Sequence, residues 1–224
     1  MNYTGTDIVS RARFILMDAG AKAWTQPELL AWLNDGRSKV YELRPDVFET
    51  DGEITLVAGY KQTVPNSSDR LFSIDHNASH KNKRAIVLTS DQVLNRFRPQ
   101  WRMQKATTEV EHYLYSEAGG TEFEVYPPAV AGVKVWGSWA KPPAALAVDS
   151  AVPLTDEGEL ATAYVDYILH RAFQKESTTA PAFIELSKAH YALFTAALGG
   201  DAQTKIVLSP NAQRDGGEPA KASA

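Results

Sequence analysis

The sequence contains no cysteine, which excludes a disulfide framework, a thiolate metal site and a thiol nucleophile together. It has no basic excess either: 23 Lys and Arg stand against 27 Asp and Glu, a formal net charge of −4. Clustered cations are what draw proteins to nucleic acid and to anionic membranes, so sequence-specific DNA binding is disfavoured. No stretch approaches the roughly 18 uncharged apolar residues of a spanning helix, and the polar opening Asn2 to Asp7 lacks the basic and apolar regions of a secretory signal. The expectation is a chain neither embedded in a membrane nor exported by that route. No Walker A loop, no Gly-x-Gly-x-x-Gly turn, no kinase signature and no Gly-x-Ser-x-Gly elbow occurs, so no cofactor is expected.

What is present is a mixture of 44% hydrophobic and 22% charged residues, a balance that allows a real core rather than a disordered chain. Thr4 and Asp7 have capping-box spacing, and Ile8, Ile15, Leu16 and Ala19 recur at helical intervals, predicting a helix over 5–19. Thr25, Pro27 and Glu28 predict a second helix start. Leu29, Leu30, Leu33, Val40 and Leu43 line its face, and Pro45 ends it.

From Val47 to Trp139 the pattern changes to short β-branched and aromatic runs broken by Gly, Pro and Asn, which reads as strands. Period-two alternation at Val110, His112 and Leu114, at Phe123 and Val125, and at Val133, Val135 and Trp139 predicts an antiparallel meander, with Gly119-Gly120 and Pro127-Pro128 marking its turns. Asp156 and Glu159 again have capping spacing before a third helix, reaching to about Phe173. A fourth is predicted over 181–198, stopped by Gly199-Gly200.

The expected architecture is α+β. Two N-terminal and two C-terminal helices form a four-helix bundle from residues 1–46 and 150–199, with an antiparallel β lobe inserted at 47–149. An extended tail follows at 200–224; it is too rich in Ala, Gly, Pro and charge to fold alone, and its apolar run Ile206, Val207 and Leu208, followed by Pro210, is the expected partner-binding element.

Several constellations invite a chemical reading. Asp166 and His170 stand at i, i+4, close enough for a carboxylate to orient an imidazole, but without a nucleophile the pair reads as a local polar contact. His76 and His80, with Asp75, have metal-ligand spacing only if helical, and the neighbouring Asn, Ser and cations predict a solvated turn instead. The alternating acids Glu109 with Glu111 and Glu122 with Glu124 suit glycoside hydrolysis in principle and solvated strand faces more simply. Were those strands neighbours, the acids would repel unless cations of an adjacent subunit intervened. Trp136 and Trp139 are three apart in a strand, so at most one enters the core. The segment Arg96-Phe97-Arg98-Pro99-Gln100-Trp101-Arg102, read as a basic aromatic loop, interleaves cations with aromatics. That composition suits single-stranded nucleic acid, and in an acidic molecule it suits docking onto an acidic neighbouring copy better; Arg96, Arg98, Trp101 and Arg102 are the expected inter-subunit residues.

The residues Asp7 to Arg13, Trp24 to Gly36 and Leu43 to Asp46 resemble the opening of phage head-to-tail adaptor proteins. The resemblance continues through Val57 to Pro65, Pro99-Gln100-Trp101, Phe123 to Pro128 and Asp166 to Phe173, spanning roughly 7–198. These motifs are weak singly and specific in combination. The family resemblance implies a virion structural protein: a ring, typically of twelve subunits, joining the portal protein to the tail nozzle or tube at the head–tail junction and assembled in the host cytoplasm. DNA would pass through the ring during ejection without sequence-specific binding. Similar adaptors dock a C-terminal extension onto the portal. The competing expectation is a tail-associated glycan-binding or cell-wall-degrading protein using exposed tryptophans and paired acids.

Overall fold

In the computed structural model, which describes residues 3–68, 70–116, 120–152, 160–178 and 180–199, the first helix starts where its polar side chains can satisfy the free backbone N–H groups. Thr4 Oγ1 accepts from the Asp7 N–H at 3.1 Å and the Asp7 carboxylate accepts from the Thr4 N–H at 2.7 Å, a reciprocal capping box. In chain order the elements are β1 (Tyr3–Thr4), α1 (Gly5–Ile15), α2 (Gln26–Leu43), β2 (Glu49–Thr55), β3 (Gly59–Thr63), β4 (Leu71–Asn77), β5 (Val87–Leu88), α3 (Asp91–Phe97), β6 (His112–Tyr115), β7 (Glu122–Ala129), β8 (Lys134–Ala140), β9 (Ala151–Val152), α4 (Ala161–Glu176) and α5 (Ala182–Ala197). The protein is thus α+β, and its described residues fall into two compact units, one of residues up to Phe48 with those from Pro143 onward, the other Glu49–Pro142.

In the helical unit, Ile8, Val9 and Ala12 of α1, Leu29, Trp32, Leu33 and Val40 of α2, Tyr164, Ile168, Leu169 and Ala172 of α4 and Phe194 of α5 form one core. Gly36 lets α2 close on α4, since a Cβ there would stand 3.0 Å from the Tyr167 ring. Asn34 brackets the peptide of Leu146, accepting from its N–H at 2.8 Å and donating to its carbonyl at 3.2 Å, while the buried Arg37 donates to the Ala144 carbonyl at 2.6 Å. Side chains of α2 therefore fasten the irregular segment that follows the β unit.

Helix α1 is shorter than its sequence pattern predicts. It ends at Ile15, and the Asp18 carboxylate gathers the N–H groups of Lys22, Ala23 and Trp24 into a tight turn. Those donors, the Trp24 N–H foremost, with Arg13 beside them, hold Asp18 below the ordinary carboxylate range. Ile15, expected on the core face, is half exposed; the buried stripe is Ile8, Val9 and Ala12. Thr25 precedes α2 without a side-chain cap, and Pro27 occupies the first turn. The capping pair Asp156 and Glu159 and the tail residues Ile206, Val207, Leu208 and Pro210 lie outside the described residues.

The β unit contains two sheets. One has the order β2-β8-β4 and the other β3-β7-β6-β5, with β5 and β6 parallel and the remaining pairs antiparallel. Ile54, Leu71, Ile74, Val135 and Trp139 of the first pack against Tyr113, Tyr115, Phe123 and Val125 of the second, the aligned apolar faces of a small sandwich. On the other side of the four-stranded sheet, Leu94 of α3 and Trp101 cover Leu114 and Tyr126. The layers are therefore three strands, four strands, then α3 with the short turn Trp101–Met103.

The predicted meander is corrected here. Strands β6 and β7 are antiparallel neighbours, but β8 lies between β2 and β4 in the other sheet. The turn after Ala129, with Gly132 at φ 86°, is captured by Leu56, which donates to the Val133 carbonyl at 2.7 Å and accepts from the Gly132 N–H at 3.0 Å. That pairing delivers β8 to β2. Pro127 and Pro128, expected at a turn, lie within β7, and the buried Asn77 clamps the strand entry at Val110 by accepting from its N–H at 2.8 Å and donating to its carbonyl at 2.7 Å.

Candidate interaction surfaces

The residues that invite a catalytic reading do not converge. Asp166 and His170 share a face of α4, as their spacing requires, yet each is bonded across to α5: Asp166 to His190 Nδ1 at 2.9 Å, and His170 Nδ1 to the Ser187 carbonyl at 3.0 Å and hydroxyl at 2.9 Å. The expected local contact between them is replaced by two interhelical ones. Ser187 also donates to the His170 carbonyl at 3.1 Å, and burial lowers the His170 pKa, against the opposing pull of the Ser187 carbonyl. These bonds fix the register of two helices.

His76 and His80 are separated by the end of β4. His76 stacks on Trp136 with centroids 6.2 Å apart, and His80 Nε2 meets the Thr108 carbonyl at 2.6 Å. Among the described residues no group of three metal-ligating side chains assembles. Three of the four paired acids meet cations of their own chain: Arg84 lies 3.9 Å from Glu109 and 3.4 Å from Glu111, and Arg102 lies 3.1 Å from Glu124.

The basic aromatic segment does not form the loop its composition suggests. Its first residues complete α3, a seven-residue helix that sequence reasoning missed, although Ser90-Asp91 offers a start signal. Trp101 points inward and is fully buried; its indole donates to Asn95 Oδ1 at 3.1 Å and meets Tyr60 and Tyr126 edge-on. Arg102 lies over the Trp101 ring at 4.3 Å and binds Asp91 at 2.6 Å as well as Glu124. Arg96 and Arg98 remain exposed, with no ion pair among the described residues. Beside them Phe97 is 72% and Met103 87% exposed. Of the four sequence-predicted residues, two belong to the packing beneath this surface and two to the surface itself.

The opposite outer face of the sandwich is acidic. Glu49, Asp51 and Glu53 alternate along β2 on the side away from Ile54 and lie in register with Ala140, Ser138 and Trp136 of β8. Ser73 donates to Asp75 at 2.6 Å and meets Ser138 at 3.2 Å. The half-buried Trp136, stacked with His76, forms the apolar centre. Trp139, three residues on, is in the core.

A third surface lies on the helical unit. Ser10, Arg11, Phe14, Ile15, Thr162 and Val165 line an open apolar groove of about 490 Å³; Phe14 there, and Met17 beyond the end of α1, are almost wholly exposed. Neither residue belongs to the apolar stripe of α1, so the helical pattern gave no reason to single them out. No helix of the described residues is long and apolar enough to cross a membrane.

A protein whose polar clusters are spent on helix register and strand pairing, and whose apolar and charged surfaces are left open, has the features of an assembly component. No curated protein matches this sequence. A family model does match it, over residues 1–215 and hence through both units: the chain belongs to the SU10 adaptor protein family, a structural family of phage head-to-tail adaptors.

Proposed function

We propose that this protein forms a ring between the portal and the tail nozzle or tube of a phage particle, with twelve copies enclosing a channel through which DNA leaves the head. The observation that carries the reading is the extent of the family match, 1–215, which takes in the whole helical and β arrangement rather than one module. The polar geometry supports a structural role, since the His and Asp side chains of α4 and α5 are consumed by interhelical bonds. Net negative charge suits a channel that must not grip the duplex. Arg96 and Arg98 contribute to contacts between copies, and Ile206, Val207, Leu208 and Pro210 dock the tail onto the portal.

Co-sedimentation with the purified portal ring tests this, comparing the full chain with one ended after Gly200. Binding by the full chain alone is the expected result and assigns the docking to the tail. Binding by both keeps the adaptor and removes the tail from it. Binding by neither, with both proteins folded, overturns the reading, and binding to glycans would then favour the carbohydrate alternative.

A further inference from the structure

The two outer faces of the β unit carry opposite charge. On the face formed by α3 and the turn after it, residues 91–105 hold Arg96, Arg98, Arg102 and Lys105 against the single carboxylate Asp91. Arg102 is committed to Asp91 and Glu124, which leaves Arg96, Arg98 and Lys105 to face outward around the exposed Val93, Phe97 and Met103. On the far face, Glu49, Asp51, Glu53 and Asp75 outnumber Lys134, which is held by Glu53 at 2.7 Å, and Arg70, which precedes β4 opposite Ala140. Glu49 and Asp51 have no ion pair among the described residues. Each face has an apolar centre within its charged rim: Phe97 and Met103 on one, the Trp136 and His76 stack on the other.

We infer that these faces are the two halves of one contact between copies of this chain, the α3 face of one sandwich seating on the β2-β8-β4 face of the next. This rests on the ring reading and deepens it by naming the surfaces. The sheets and α3 are stacked in order, so the two faces point in opposite directions from one β unit. A pair of complementary patches placed that way cannot be satisfied by a two-fold dimer and propagates from copy to copy, as a cyclic assembly requires. Aromatic, Met and Arg side chains are the usual contributors to such interfaces, and opposed charge sets the register and suppresses the wrong pairings. A layer between sandwiches would also bury Phe97 and Met103, which the free chain leaves in water.

The absence of cysteine makes the test direct. Asp51→Cys and Arg98→Cys alter exposed residues only, so folding is preserved, and each is prepared alone, mixed with the other, and combined in one chain. On mild oxidation the mixture is expected to give a dimer, the combined variant a ladder of multimers, and each single variant neither. The contact is also expected to weaken about five-fold in Arg98→Glu or in Asp51→Arg, the upper end for an exposed ion pair, and to recover when the two are combined.

Dimers in either single variant, or single reversals that leave association unchanged, would overturn the inference. So would failure of the combined variant to cross-link while the wild-type chain still forms rings on the portal, and in that case the ring reading survives. If the wild-type chain forms no multimer on the portal, both fall.

Discussion

Replacing Trp101 by Ala separates a core role from an interface role for the residue that the sequence places at a subunit contact. The side chain is fully buried between Leu94, Leu114 and Tyr126, with edge contacts to Tyr60 and Tyr126. Truncating a buried tryptophan to alanine costs about 3–5 kcal/mol. The lost hydrogen bond to Asn95 adds little, because that residue is exposed and water replaces the indole. A loss of about 4 kcal/mol, at a urea slope of about 2–3 kcal/mol/M, lowers the midpoint by about 1.5 M. Urea denaturation followed by circular dichroism, at a concentration where the chain is monomeric, measures this. Arg96→Ala, on the exposed side of α3, is the control and is expected to stay within about 0.5 kcal/mol. Unfolding of Trp101→Ala within about 1 kcal/mol of the wild type, together with lost association, would refute the core role, because the indole would then serve a neighbour and not its own sandwich.

Asn77→Ala removes both bonds to Val110 and a third to the Arg84 carbonyl, leaving buried backbone groups unpaired; a destabilisation of about 3 kcal/mol is expected in the same denaturation experiment. Asp18 has a lowered pKa in the fold, so its stabilisation is present above the unfolded carboxylate range and is lost as pH falls through the folded value. Thermal melts should show Asp18→Asn less stable than the wild type at neutral pH, with the gap closing in acid. His170 also has a lowered pKa, and for a base this means the fold prefers the neutral ring. Stability is then full above the ordinary histidine range and declines as pH falls below it, so His170→Gln should flatten the melting-temperature profile between pH 7 and pH 5 (about the window set by an unfolded value near 6.5).

The helices were legible where capping and apolar spacing are local properties. Thr4 with Asp7 and the α2 face Leu29, Leu33 and Val40 needed only neighbours in sequence, and the chain is α+β as their alternation with strands implies. Partnership was less legible. Period-two alternation identifies β8 as a strand but says nothing of whether it pairs with β7 or with β2, a choice made by Leu56 seizing the turn at Gly132. Helix α3 escaped notice because seven residues give too short a window for a helical period, and the cations beside its aromatics suggested an open loop. Spacing alone put Asp166 and His170 on one face; only the packed α5 decides that each reaches His190 or Ser187 instead of the other. For the surfaces, composition grouped Arg96, Arg98, Trp101 and Arg102 as one docking segment and could not reveal that Trp101 turns inward to cover Tyr126.

Strand pairing at the base of the β unit has an evolutionary consequence. Glu49, its first residue, lies in register with Ala140, near its last, so the chain enters and leaves at adjacent points only one strand spacing apart, about 5 Å. A segment of some ninety residues inserted that way leaves its host helices a gap that a short turn can span. Exchange, enlargement or deletion of the sandwich therefore leaves the path of the chain on either side of it unchanged.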